Sequence, residues 1–334
     1  MHILPGKTAR GLGVLGAEGK ARGRQFATIG DWINPVAILA CHRGAMGVTM
    51  VRAALLFLAC AGLTLSTASQ SQVAERLAAR SDRAQTLSYG RDPLQTLDYW
   101  PGDTPGAPLV AFVHGGGWSK GDKRMMHGSD KLRHWRAQGY AVASLNYRLV
   151  PEATVEQQAA DVAAALALLK QRTRPRRIAL VGHSAGAHLV ALVGTDPTYL
   201  RGAGLSFADI AGIVPLDGAA YDVSAQLDEG PRIMRRTYLG AFGSDPARQA
   251  RLSPTMQAGA PNAAEFLILH VEREDGARQS RQLAAELTAA GTSAEVRGFA
   301  GKGLRGHAEM NRRMGNESYP ATAVLDAFLA RVLR

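Results

Sequence analysis

The sequence predicts an α/β fold: a mostly parallel central sheet with helices on both faces. Three observations predict it. Strand-like and helix-like textures alternate from Leu94 to the C-terminus. Several strand candidates are short, continuously aliphatic runs, as expected of strands buried on both faces. One of these runs breaks at Gly-His-Ser-Ala-Gly and turns at once into an apolar helix.

The elements follow in order. "LQTLDYW" (94–100), "PLVAFVH" (108–114) and "YAVASLNY" (140–147) read as strands. "VEQQAADVAAALALLKQ" (155–171) places Val162, Ala165, Leu166 and Leu169 at helical spacing. "RIALVG" (177–182) is a buried parallel strand, and "HLVALVG" (188–194) continues as a helix. "IAGIVPLDG" (210–218) and "EFLILHV" (265–271) are further strands. "SRQLAAELTAAG" (280–291) is a helix with a glycine stop, "AEVRGF" (294–299) the last strand, and "ATAVLDAFLARVL" (321–333) an amphipathic closing helix. Strand then helix, repeated, is the pattern of a sheet covered on both sides. Residues 221–262 interrupt the rhythm between two strands, with prolines and glycines at their edges. They are expected to form a lid insertion over the carboxyl end of the sheet.

The net charge of +11 in 334 residues raises the question of a nucleic-acid partner. Residues 1–69 carry +5 of it, and "RTRPRR" (172–177) is the only dense basic cluster of the remainder. No aromatic-studded basic stripe accompanies the charge, so solvated arginines are expected and no nucleic acid. Cys41 and Cys60 both lie near the N-terminus, which leaves the body without disulfide or thiol chemistry.

"MVRAALLFLACAGLTLSTASQSQ" begins at Met50 with a basic start, a short apolar stretch and then small residues. It has the form of a signal peptide over 50–69, cleaved near Ala68 or Ser69. The expectation is an exported protein, periplasmic or secreted, with no stable membrane span in its mature form. Residues 1–49 then lie outside the mature protein, and 70–334 form one domain. A lipid-modified Cys60 and an uncleaved anchor are the alternatives.

The Gly-x-Ser-x-Gly bend is a nucleophile elbow. Side chains at Gly182 and Gly186 would clash in so tight a turn, and Ser184 is held at its tip. The following helix points its positive end at the same spot. "FVHGGGWSKGD" (112–122) supplies three glycines after a strand. The N–H groups of Gly116 and Gly117, with that of Ala185, are the expected oxyanion hole, each such donor being worth roughly 3–4 kcal/mol to an acyl-transfer transition state. A phosphate loop is the competing reading, but the Gly-Lys-Ser/Thr ending is missing.

The base is His307, in the glycine-rich "GKGLRGHAEMNRRMG" (301–315), read as a loop after the last strand. The other histidines fit structural places. His183 is inside the elbow and pointed away, and His188 is packed on the helix. His114 braces the glycine loop, and His270 ends a strand. His127 and His134 are expected on an exposed helix. The acid comes from "LILHVEREDGARQSRQL" (267–283), where Asp275 precedes a helix, with Glu272 and Glu274 as alternatives. Asp217, in "LDGAAYD", reads as a lid hinge or helix cap.

With these residues in place the chain resembles the α/β-hydrolase superfamily, and within it the esterase/lipase branch that carries an HGGG oxyanion motif, including hormone-sensitive-lipase-like and kynurenine-formamidase-like enzymes. "HGGGW" and "GHSAG" match outright. "YGRDPLQTLDYW" resembles the family's entry strands, and "NYRLVPEATVEQQAADVAAAL" its intervening segment, where Asp161 is expected to pair with Arg148. The order Ser184, Asp275, His307 is the order of that superfamily. The chain departs at the acid loop, where many relatives read His-Gly-x-x-Asp and this one reads "HVERED". The resemblance implies a serine carboxylesterase acting on small acyl esters through an acyl-enzyme, with no cofactor and no metal. An arylformamidase or other amide hydrolase on the same triad is the alternative, and a non-catalytic binding protein on this scaffold is the rival from another class.

Overall fold

The computed structural model describes residues 83–334. The export segment, Cys41 and Cys60 lie outside the described residues. Eight strands form one sheet: β1 (Gln85–Ser88), β2 (Thr96–Trp100), β3 (Leu109–Val113), β4 (Ala141–Leu145), β5 (Ile178–His183), β6 (Gly212–Leu216), β7 (Glu265–Glu272) and β8 (Ser293–Lys302). Their spatial order is β1-β2-β4-β3-β5-β6-β7-β8. The β1–β2 and β2–β4 pairs are antiparallel, and every other pair is parallel.

The helices are α1 (Asp130–Ala137), α2 (Val155–Thr173), α3 (Ala185–Thr195), α4 (Pro197–Gly202), α5 (Val223–Glu229), α6 (Arg235–Phe242), α7 (Pro246–Arg251), α8 (Pro254–Gln257), α9 (Glu274–Ala289), α10 (Gly303–Arg313) and α11 (Pro320–Val332). The alternation of side chains along each strand sorts the interior into two cores. Leu109, Ala111, Val113 and Leu180 face Val162, Leu166, Leu189 and Leu283 of α2, α3 and α9. Val110, Phe112, Ala179 and Val181 face Trp135, Met310, Leu325 and Phe328 of α1, α10 and α11. Both faces of β3 and β5 are therefore dry, which is why those strands read as unbroken apolar runs.

Local chemistry sets the helix limits. Thr154 and Gln157 form a reciprocal capping box that starts α2. Asp161 on the same helix holds Arg148 through bonds of 2.7 and 2.9 Å and also accepts from Gln95. The expected Asp161–Arg148 pair is thus present, tying the chain after β4 to α2.

Three features differ from the sequence expectation. Strand β1 carries no alternating apolar pattern and pairs only with β2. The helix bearing His134 is not an exposed one: in α1, Trp135 is fully buried and His134 pairs with Asp326 at 2.8 Å. His127 lies just before α1, against Asp98. The third is α10, a helix where the sequence suggested a loop. Gly306 is a packing residue: a Cβ there would lie 2.4 Å from the Gly301 carbonyl carbon. With Met310 one turn on, Gly306 forms the buried stripe of the helix.

Residues 221–262 fold into α5, α6, α7 and α8. They pack down on the glycine loop: the Trp118 ring is 4.8 Å from Phe242 and 6.0 Å from Tyr238, centroid to centroid.

Candidate active site

The site assembles at the carboxyl ends of β3, β5 and β6. Strand β5 ends at His183, and Ser184 follows in a left-handed conformation with φ 58° and ψ −119°. Such a backbone costs a non-glycine residue about 1–3 kcal/mol and persists only where the surroundings enforce it. Here they do. A Cβ on Gly182 would lie 2.2 Å from the Gly186 oxygen, and one on Gly186 would lie 2.2 Å from the Val113 oxygen. The Ser184 N–H donates to Leu216 O at 3.1 Å, and the Ser184 carbonyl accepts from His188. Ser184 is thereby clamped between β6 and the first turn of α3.

The glycine loop sits over it. Gly116 and Gly117 have φ of 132° and 61°. A Cβ on Gly116 would lie 2.1 Å from Lys120 O, and one on Gly117 would lie 2.8 Å from Thr237 of α6. His114 donates from Nδ1 to Gly115 O at 2.8 Å and stacks on Tyr147, whose hydroxyl bonds the His114 carbonyl. This is the bracing role expected of His114. Gly115, Gly116, Gly117, Ser184 and His307 all line one cavity of about 600 Å3. Ala185 begins α3 directly beside it. The apolar part of the lining is Met125, Met234, Leu304 and Ala308.

His307 enters from α10. Its Nδ1 donates to Oδ2 of Asp217 at 2.5 Å, leaving Nε2 as the nitrogen able to take a proton. Asp217 directly follows β6, with φ 43°, and is fully buried. Its other oxygen, Oδ1, accepts from Val271 N at 3.1 Å. Burial by itself would raise this carboxyl, but the hydrogen bond from His307 and the charge of Arg273 outweigh that and hold it below the usual carboxylate value.

The carboxylate on His307 is therefore Asp217 and not Asp275. Asp275 lies in the first turn of α9 and accepts from Gln226 Nε2 at 3.0 Å. Gln226 also accepts from Ala220 N and from Gln279, so Asp275 belongs to a buried polar knot that anchors α5. Glu272 and Glu274 are exposed. The register explains the exchange. β6 and β7 are neighbours with Leu216 opposite Leu269, and the Asp217 N–H bonds Leu269 O at 2.7 Å. Asp217 at the end of β6 meets the imidazole, while in "HVERED" Asp275 falls in the first turn of α9. Two signals pointed to Asp217: its place directly after the strand next to the elbow, and the altered acid loop itself.

Two other histidines are buried, and His183 lines the cavity beside His307 where the sequence suggested a ring pointed away. His188 is fully buried, donates from Nε2 to Leu252 O at 2.8 Å and faces Trp118 Nε1 at 3.4 Å. His183 is buried against α10, bonding the His307 carbonyl at 3.1 Å with the two rings 4.5 Å apart. Burial pushes His188 down to about 4. Burial, then the His307 charge, pushes His183 down to about 3. Both stay neutral in the folded protein well below pH 6.5, where unfolded histidines take up protons. The histidine contribution is therefore constant above pH 7, and it lowers stability as pH drops through 6.5, by up to about 1.4 kcal/mol per pH unit per histidine. Urea midpoints measured from pH 7 to 4.5 should fall steadily, and His188→Gln should flatten the decline. A midpoint independent of pH over that range would contradict the neutral buried pair.

Comparison with known proteins identifies the family and the fold. The BD-FAE family model matches residues 99–287. Esterase LipC of Mycobacterium tuberculosis is 37% identical over 122 residues, covering 33% of this chain and 30% of its own. Kynurenine formamidase of Meyerozyma guilliermondii is 29% identical over 149 residues, covering 44% of this chain and 57% of its own. The chain thus spans between about a third and somewhat over half of these relatives' lengths. Among solved structures, esterase B of Lactobacillus rhamnosis superposes with a TM-score of 0.61 at 22% identity, covering 82% of this chain and 94% of that one. A truncated carbohydrate esterase from gut microbiota gives 0.61 at 18% identity, covering 76% and 98%. The fold is the α/β-hydrolase fold, in its HGGG-type esterase branch.

Proposed function

The chain belongs to the BD-FAE family, and from that premise we propose that it is a serine carboxylesterase acting on small acyl esters, with Ser184 as nucleophile, His307 as base and Asp217 as acid. One observation carries the reading. A serine held in a strained elbow shares a cavity with an imidazole whose other nitrogen is committed to a buried carboxylate.

The chemistry is a two-step acyl transfer. His307 Nε2 takes the Ser184 proton as the oxygen attacks the ester carbonyl. The negative charge develops on the carbonyl oxygen against the N–H groups of Gly116, Gly117 and Ala185, at the positive end of α3. Collapse expels the alcohol, protonated by His307. Water, deprotonated by the same imidazole, then releases the acid. Asp217 holds the Nδ1–H tautomer throughout and stabilises the imidazolium when it forms. The segment 221–262 acts as a lid element in this reading, since Met234 and Thr237 line the cavity. Met125, Met234, Leu304 and Ala308 suit an aliphatic or aryl group of the substrate. Export through the 50–69 segment is part of the same proposal.

A fluorophosphonate probe should label the intact protein on the peptide containing Ser184, and p-nitrophenyl acetate should turn over with a burst of one equivalent per chain. An N-formyl arylamine run beside it tests the amide alternative that the formamidase relatives suggest. A protein that neither labels nor turns over any ester or amide would be a binding protein on this scaffold.

A further inference from the structure

The Asp217 carboxylate has a cationic neighbour besides the imidazole. The Arg273 guanidinium, only 8% exposed, lies with Nε 3.5 Å from Asp217 Oδ2, the oxygen that receives His307 Nδ1–H. Its Nη2 donates to Gly218 O at 2.9 Å, the residue after the acid. The cation is held there by construction. Arg273 immediately follows β7 and precedes α9. A Cβ on Gly276 would lie 2.7 Å from Nη2, so the glycine one turn into the helix leaves room for the guanidinium.

Resting on the triad proposed above, we infer that Arg273 is a positioning residue: it fixes the Asp217 carboxylate against His307 and shares that carboxylate's charge with the imidazole. A positive charge beside the carboxylate opposes protonation of the imidazole that shares it. The acid limb of the activity profile then lies lower than it would with Asp217 alone. Other ionisable groups around this cluster are His183 beside His307 with Lys131 near His183, Tyr221 near Asp217 and Arg273, Tyr238 near Arg273 and Asp275, and Tyr319 near Asp217, Glu309 and Arg313. His183 is neutral and the tyrosines stay protonated through the relevant range. Lys131, buried and brought down to about 8 by that burial, changes charge on the alkaline side. None of these produces an acid limb near neutrality.

The test is the pH profile of kcat/KM for p-nitrophenyl acetate, pH 4.5–9, for wild type, Arg273→Gln, Arg273→Lys and Gly276→Ala. Arg273→Gln should move the acid limb upward by about one pH unit. Arg273→Lys should leave it within a few tenths. Gly276→Ala, which keeps the arginine but crowds it off its seat, should move the limb upward by an intermediate amount and serves if Arg273→Gln does not fold. A limb that stays put in the folded variants, or moves down, overturns the inference, even if kcat drops evenly at all pH values. The triad reading fails separately: it falls if Asp217→Asn keeps its activity, whatever Arg273 does.

Discussion

Ser184→Ala is expected to abolish turnover of short p-nitrophenyl esters, lowering kcat by about 10^4- to 10^6-fold, while leaving the fold and its melting temperature nearly unchanged. The size of the loss follows from the mechanism: without the hydroxyl no acyl-enzyme forms, and only binding and the oxyanion donors remain to assist water. The small effect on stability follows from the site. The contacts that clamp this position are backbone ones: its N–H on Leu216 O and its carbonyl on His188 N. Alanine retains both, and alanine bears the same left-handed strain. Burst titration and single-turnover kinetics read the first claim, and thermal melting the second. A variant that still hydrolyses esters at more than about a thousandth of the wild-type rate would place the nucleophile elsewhere.

Asp217→Asn carries the next largest effect, about 10^4-fold in kcat. An amide at this position offers an N–H to the imidazole as readily as an oxygen, so Nδ1 no longer has to carry the proton and Nε2 ceases to be a dependable base. The variant also leaves the buried Arg273 without its carboxylate. A stability loss of about 3 kcal/mol is expected, so rates should be measured where circular dichroism shows the variant folded. Asp275→Asn is the matched control. Its carboxylate touches Gln226 and not the imidazole, so kcat should stay within a few-fold and the cost should appear in the anchoring of α5. The reverse pattern, a crippled Asp275→Asn and an active Asp217→Asn, would return the acid to the end of β7.

Much of this molecule was legible without coordinates, for local reasons. A strand that stops at Gly182-His183-Ser184-Ala185-Gly186 must make one turn, because only hydrogen fits where Gly182 meets the Gly186 oxygen and Gly186 meets the Val113 oxygen. The bent serine, the following helix and the glycine loop are written within short spans. His307 was found by its place after the last strand, although its glycines suggested a loop. Gly306 is a packing contact, and a pattern of Gly306 and Met310 shows helical spacing only once both are known to be buried. The roles of His114 and His188 also held, since each follows from distance along the chain to the elbow.

The chain alone dictated the αβ layering, the bent serine and the amide-rich loop, because each depends on the conformations open to a few adjacent residues. Which carboxylate meets the base was left to packing. A carboxyl group needs only to reach Nδ1, and the neighbouring strands β6 and β7 are each followed closely by an aspartate. Asp217 meets it because Asp275 is turned into α9 and tied to Gln226, while Arg273 lies against Asp217.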